Sequence, residues 1–113
     1  MIKTYIILKT GRSEYTKIKV EEIFYLKADG NYTHIICCEP EKIITICKNL
    51  KSTISIIDSD LLIRISRSIA INYKHIKALK AGKSPEVLLN NNQKINISHK
   101  ILPQLKELFI HSN

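Results

Sequence analysis

Alternating apolar and polar residues dominate the first half of the chain, and this alternation predicts short strands. The predicted strands are Thr4–Lys9, Tyr15–Val20, Ile23–Ala28, Tyr32–Cys38 and Lys42–Cys47. Turn-forming residues separate them, for example at Asp29-Gly30-Asn31 and Glu39-Pro40-Glu41. Strands this short with turns this tight favour antiparallel hairpins.

The pattern changes to helical spacing in two places. Apolar residues recur every three or four positions in Asn49–Ile57, where Asn49 is a suitable N-cap, and again in Ile101–Leu108, where we expect Ser98 to be the N-cap. The remaining predicted strands are Leu61–Ser66, Ile76–Leu79, Glu86–Leu89 and Lys94–Ile97. The sequence therefore predicts a mainly β, antiparallel fold with a short internal helix and a C-terminal helix.

The composition agrees with a β-rich fold and adds a charge asymmetry. The 113 residues include 22 Ile and no Trp, a β-branched excess that favours strands, and the length suits one domain over residues 1–113. Residues 1–60 carry nine Lys/Arg and eight Asp/Glu, whereas residues 61–113 carry nine and two. A basic half attracts polyanions, most commonly nucleic acid, although the same excess also occurs on ordinary solvated surfaces.

Motifs for catalysis or for cofactor binding are absent from the sequence. There is no GxSxG, P-loop, GxGxxG or HExxH, so we expect neither an enzyme nor a cofactor. Asp58 and Asp60 form a close acidic pair, for which a solvated turn is the simplest interpretation. We expect no membrane association, because no apolar run is long enough to cross a bilayer and the opening residues lack a signal-peptide pattern.

Cys37, Cys38 and Cys47 have neither disulfide-framework nor zinc-ligand spacing. If Glu39–Lys42 closes a hairpin, Cys38 would lie opposite Ile43 and His34 opposite Cys47, which would place His34, Cys38 and Cys47 on one sheet face. Three such residues are too few for a structural zinc site. We therefore expect no metal, and reduced, mostly buried thiols in a cytoplasmic protein.

Three stretches in this order resemble the LytTR family of bacterial DNA-binding domains. They are Ile23–Thr33 with its Gly-Asn-Tyr loop, Arg64–Asn72 with its Arg-Ser pair, and Ile95–Lys100 with the last strand and its loop. The likeness covers about residues 3–110. Ser66 stands where the family usually has His, Ile69 where an aromatic is common, and His99-Lys100 where Arg is typical.

The resemblance implies an elongated β-sheet domain that reads double-stranded DNA through loops, at paired repeat sites and as a possible homodimer. Such domains usually follow a receiver domain in two-component response regulators. No receiver sequence lies within these residues, so the chain is either a stand-alone module or an excised domain.

The resemblance also implies which residues contact DNA. The candidates are Asn31, Tyr32, Thr33, Arg64, Ser66, Arg67, Ser68, Ser98, His99 and Lys100. Arg67 offers a fork for guanine and Asn31 an amide for adenine, while hydroxyls and a helix N-terminus near Ser98 would hold phosphates. For Arg64, an internal structural role remains an equal alternative.

A second function class stays open, namely a β-rich protein-interaction or single-strand nucleic-acid-binding module without sequence specificity. Stacking platforms of the single-strand class need exposed aromatic side chains. The chain has two Phe and five Tyr, and Phe24 and Phe109 lie in core-like patterns. This scarcity favours duplex DNA as the partner.

Overall fold

The computed structural model describes residues 5–38 and 41–111. Within these ranges the chain forms ten strands, two α-helices and two short 3-10 helices (Val20–Glu22 and Tyr73–His75). The strands are β1 (Tyr5–Lys9), β2 (Tyr15–Lys19), β3 (Ile23–Asp29), β4 (Tyr32–Cys37), β5 (Lys42–Ile46), β6 (Leu62–Arg64), β7 (Ile69–Asn72), β8 (Ile76–Lys80), β9 (Glu86–Leu89) and β10 (Lys94–Asn96). The helices are α1 (Leu50–Ile57) and α2 (Leu102–His111). The predicted mainly β fold, with an internal and a C-terminal helix, is confirmed.

The chain divides into two compact units, Met1–Lys74 and His75–Asn113. The first unit contains the antiparallel hairpin β1-β2, helix α1 and a five-stranded antiparallel sheet in the order β5-β4-β3-β7-β6. Its strands place every second residue inward, and the inward positions are largely isoleucine and leucine. Members of this core are Ile6, Leu8, Ile18, Val20, Ile23, Leu26, Ile35, Cys37, Ile44, Ile46, Leu50, Ile57 and Ala70.

The second unit has its own three-stranded antiparallel sheet, in the order β10-β9-β8, followed by α2. Its buried apolar residues come from alternate strand positions and from one face of α2: Ile76, Val87, Leu89, Ile95, Ile97, Leu102 and Leu105. Asn92 adopts φ 70° in the turn between β9 and β10, a left-handed conformation that Asn tolerates. The left-handed residue lets β9 return directly as β10.

Helix α1 begins and ends as its sequence predicts. The Asn49 side chain accepts a hydrogen bond from the amide of Ser52 (2.8 Å), and the helix ends where Asp58 adopts φ 47°. In the part of the chain that the structure describes, neither this helix nor α2 is long and apolar enough to cross a membrane.

Four expectations about local structure were wrong. Strand β7 was not predicted, because Ser-rich residues precede it, and β6 ends at Arg64 rather than at Ser66. Ser98 is not the N-cap of α2, since that helix begins at Leu102 and its first bond runs from the Leu105 amide to the Ile101 carbonyl (3.2 Å).

The fourth concerns the β4-β5 register, in which Ile36 lies opposite Ile43 and His34 opposite Thr45, two residues from the predicted pairing. Thr4, where the first predicted strand was to begin, and Glu39 and Pro40 of the predicted turn lie outside the described residues.

Candidate nucleic-acid interface

Two turns lie at the same end of the five-stranded sheet. Strand β3 ends at Asp29, and β4 returns antiparallel from Tyr32, which pairs with Asp29. Strand β7 also runs antiparallel to β3 and starts at Ile69, opposite Lys27. The Ala28 amide donates to the Ser68 carbonyl (2.8 Å), which ties the second turn to the end of β3.

The first turn consists of Gly30 and Asn31. Gly30 has φ 59° whereas Asn31 keeps a negative φ, which is the pattern of a type II′ hairpin turn with glycine at its first central position. Asn31 is exposed, and its side-chain amide makes no hydrogen bond with the described residues. Tyr32 is 50% exposed. Both side chains are accessible to a ligand.

Thr33 corrects the sequence-based candidate set. It is fully buried, and its hydroxyl donates to the Lys48 carbonyl (2.8 Å). A buried hydroxyl that is already donating cannot contact a macromolecule without unfolding its surroundings. Thr33 therefore fastens the end of β5 to the start of β4.

A histidine that the sequence did not single out for this site stiffens the first turn. His34 Nε2 donates to Asp29 Oδ2 (3.0 Å), and its Nδ1 lies 2.7 Å from the Thr45 hydroxyl. Both ring nitrogens are thus occupied by neighbours on β3 and β5. The exposed end of the hairpin is held from both sides.

The second turn, Ser66-Arg67-Ser68, is closed by its own side chains. The Ser66 hydroxyl oxygen accepts from the amides of Ser68 (3.2 Å) and Ile69 (3.1 Å). Arg64 donates from Nε to the Ser66 carbonyl (3.1 Å) and from Nη2 to the Arg67 carbonyl (2.7 Å). These bonds engage the carbonyls of Ser66 and Arg67 and the amide of Ser68, and they fix the shape of the turn.

Arg67 lies at the tip of this turn. It is exposed, and its guanidinium makes no hydrogen bond or ion pair with the described residues. Arg64, by contrast, uses its guanidinium to hold the backbone under Arg67. The two arginines that the sequence put in one candidate set therefore differ in what they are free to do.

The same end of the sheet carries two lysines that the sequence analysis missed. Lys27 is exposed on β3, opposite His34 and Ile69, and Lys48 is exposed just after β5. Strand register would have identified them, because both lie within two residues of a paired position near the turns. They add positive charge to the end of the sheet that carries the two turns.

The third candidate segment belongs to the second unit. His99 Nε2 donates to the Lys83 carbonyl (2.9 Å), because a carbonyl oxygen only accepts, and so His99 ties its turn to the loop between β8 and β9. The Ser98 carbonyl and hydroxyl oxygens both accept a hydrogen bond from the Ile101 amide, at 3.2 and 3.4 Å. Lys100 is exposed. The segment forms a turn that leads into α2 at Leu102, so the predicted helix N-terminus at Ser98 is wrong.

The cysteines differ in exposure more than predicted. Cys37 is buried, and burial raises the pKa of its thiol to about 11, whereas Cys38 is half-buried and Cys47 is exposed. Within residues 5–38 and 41–109, no three His, Cys, Asp or Glu side chains converge in a way that would hold a metal ion.

Comparison with known proteins agrees with this architecture. A profile described as the LytTr DNA-binding domain matches residues 13–110 of the chain. Among solved structures, the fold is similar to a chain described as the LytTr DNA-binding domain of a methyl-accepting/DNA response regulator from Bacillus cereus. That similarity has a TM-score of 0.72 and 21% identity, and covers 95% of this chain and 97% of that one. No curated protein matches the chain significantly.

Proposed function

Because the chain belongs to the LytTr DNA-binding domain family, we propose that it binds specific sequences in double-stranded DNA as part of a transcriptional regulator. The family is defined by DNA binding and not by catalysis. In this chain, the side chains at the end of the five-stranded sheet fall into two groups. Some hold the turns, and others face solvent.

Arg67 carries the proposal. Its guanidinium is unpaired among the described residues, and the turn below it is fixed by Arg64 and Ser66. A fixed backbone with one unengaged arginine lowers the entropy lost on binding, since only that side chain must be ordered. Arginine matches the O6 and N7 acceptors of guanine in the major groove. We assign Arg67 to base reading and Arg64 to positioning.

Asn31 is the second base reader in this proposal. It is exposed at the tip of the neighbouring turn, and an amide side chain matches the donor and acceptor of adenine. Tyr32 and Ser68, which are exposed beside the two turns, donate to phosphates. Ser66 shapes its own turn and is therefore assigned a structural role.

Positive charge supplies the sequence-independent part of the affinity. Lys27 and Lys48 lie at the end of the sheet, and the second unit has six Lys against two Glu. In the second unit, Lys100 with Ser98 and His99 would hold a phosphate. Neutralised phosphates release counterions, so the affinity falls with salt.

The wider setting follows from the same proposal. The protein would act in the cytoplasm, at paired repeat sites and as two protomers side by side on DNA, with a receiver or sensor domain supplying the signal. These elements depend on the family resemblance rather than on particular contacts in this chain.

Selection of bound sites from a random duplex pool tests the central claim. We expect an enriched pair of short repeats containing guanine at one fixed position. Repeating the selection with the Arg67→Ala variant should lose the preference at that position alone. A pool that returns no enriched sequence with the unmodified protein would rule out sequence-specific recognition.

One observation favours a second candidate, a module that binds single strands. Tyr5 and Tyr15 are 46% and 66% exposed on the β1-β2 hairpin, where Lys17 lies 4.5 Å from the Tyr5 ring centroid. Exposed tyrosines among lysines can stack bases. Affinities for duplex and single-stranded DNA of equal length separate the two functions, and we expect the duplex to bind more tightly.

A further inference from the structure

A groove of about 630 Å³ lies in the first unit, apart from the tips of the two turns. The β1-β2 hairpin forms one wall, and the end of β5 with α1 forms the other. Its apolar lining consists of Ile7, Leu8, Tyr15, Ile46 and Ile56. A volume of this size is typical of sites for small organic ligands.

Three of the five apolar lining residues are open to solvent, whereas Leu8 and Ile46 are buried. Ile7 is 65% exposed, Tyr15 66% and Ile56 42%, although each comes from a different element of the fold. Scattered exposed apolar residues need no explanation, but three that converge on one concavity form a patch whose exposure is unfavourable until something covers it. The groove is therefore suited to an apolar body.

The rim of the groove has one sign of charge. Lys9, Arg12 and Lys48 line it, and there is no Asp or Glu among its lining residues. In the described parts of the chain, none of these three cations forms an ion pair. Charge complementarity therefore calls for an anionic group on the occupant.

We propose that this groove binds a small amphipathic anion, namely an aromatic or short aliphatic body that carries a single carboxylate or sulfonate. The body lies against Ile7, Tyr15 and Ile56, and the anionic group lies towards Lys9 and Arg12. A DNA duplex fits less well, because its sugar–phosphate surface offers no apolar body to cover the isoleucines. Among the lining residues only Lys48 also belongs to the proposed DNA surface, so the groove adds a site that DNA binding does not account for.

The fluorescent anion anilinonaphthalenesulfonate is the probe for the test, with uncharged phenylnaphthylamine as its matched partner. Both have the same apolar body, and only the first carries a charge. We expect one saturable site on the intact, folded chain, with the anion binding several-fold more tightly than the neutral compound. Bound probe should also slow alkylation of Cys47, which lines the groove, but not of Cys38, which does not.

Two pairs of variants locate the site. Ile7→Ser should weaken both compounds about tenfold by removing covered apolar area, whereas Ile43→Ser, at an equally exposed isoleucine outside the groove (67%), should not. Arg12→Gln should weaken the anion about threefold and leave the neutral compound unchanged. Lys106→Gln, on α2 of the second unit, removes the same charge as a control and should change neither. All four substituted positions are partly or fully exposed, and thermal melting verifies folding.

Three outcomes would overturn the proposal. Equal binding of the charged and neutral compounds would show that the cationic rim does not contribute to recognition. Equal loss in Ile7→Ser and Ile43→Ser means that the probe binds exposed isoleucine in general. Displacement of the probe by duplex DNA at the concentration where the DNA itself binds assigns these cations to the DNA surface.

Discussion

The two turns at the end of the five-stranded sheet achieve order in different ways. The Gly30-Asn31 turn depends at its tip on backbone geometry, because a glycine at φ 59° allows β3 to return directly as β4, while side-chain bonds of His34 support only its base. The Ser66–Ser68 turn has no glycine and is ordered by side chains, through the hydroxyl of Ser66 and the guanidinium of Arg64. Each turn nevertheless leaves one polar residue, Asn31 or Arg67, exposed at its tip.

This difference shows why the residue types in a loop do not reveal which side chains are available to a ligand and which hold the backbone. Arg64 and Arg67 are the same residue type, three positions apart and both exposed. One donates two hydrogen bonds to the turn and the other donates none to the described residues. Function in such a turn depends on which donors remain after the backbone has been satisfied.

The largest effect should come from Arg67→Ala. If this side chain reads a base, the substitution should cost about 1–3 kcal/mol on the preferred duplex, which is about 5- to 150-fold in Kd. On random duplex the loss should be much smaller, so the specificity ratio falls. Fluorescence anisotropy titrations on both duplexes measure the two affinities.

Thermal melting is the control for that comparison, and the exposure of Arg67 predicts an unchanged melting temperature. Equal losses on both duplexes, from a protein that melts normally, would make Arg67 a phosphate contact. Specificity would then depend on Asn31, on the Ser98–Lys100 segment or on DNA shape.

A smaller and dependent effect should come from Arg64→Ala. We expect a loss of about 1 kcal/mol on the preferred duplex, because two hydrogen bonds that fix the turn are removed while the Arg67 side chain remains. In the Arg67→Ala background the same substitution should have almost no further effect on affinity. A double-mutant cycle measures this coupling, and fully additive losses would show that Arg64 contacts DNA itself.

The sequence predicted the strands that have clear alternation and ended them within about two residues of their observed bounds. Tyr15–Val20 and Ile23–Ala28, for example, correspond to β2 and β3. The Asn49 cap was also predictable, since a local side-chain bond follows from local sequence. Features that one segment determines by itself could therefore be predicted from the sequence.

Tertiary context decided what the sequence did not predict. Thr33 was a candidate for DNA contact, yet it is buried on β4, where it pairs with Ile46 and bonds to Lys48. Strand β7 depends on pairing with both β3 and β6, and no pattern within Ile69–Asn72 reveals those neighbours. The hydrogen bonds of Arg64 likewise depend on the positions of the Ser66 and Arg67 carbonyl oxygens, which the sequence does not reveal.

Gly30→Ala should affect stability and test the first turn. A Cβ at position 30 meets no atom within 4 Å, so the cost is backbone strain alone, about 1 kcal/mol for alanine at positive φ. Gly11→Ala is the matched control, because its φ is not positive and its Cβ would make ordinary contact with Glu14 (3.4 Å). We expect a melting temperature about 4 °C lower for the first variant and unchanged for the second. Equal melting of the two would mean that the turn does not depend on glycine.

The smallest effect should come from Lys77→Ala, which removes a cation that belongs to neither turn. Lys77 is exposed on β8 of the second unit, where its Nζ donates to Asn92 Oδ1 (3.4 Å). With about five phosphates neutralised, log affinity should fall against log salt with a slope of about −4.5, and loss of one contact should change that slope by about one unit. The affinities for preferred and for random duplex should fall by the same factor, because a phosphate carries no sequence information.

Titrations at several salt concentrations measure the slope for the unmodified protein, for Lys77→Ala and for Arg67→Ala. If Lys77→Ala lowers the specificity ratio as much as Arg67→Ala does, recognition is not confined to the two turns and the distinction between reader and support must extend to the second unit. A slope near zero for the unmodified protein would contradict phosphate binding altogether.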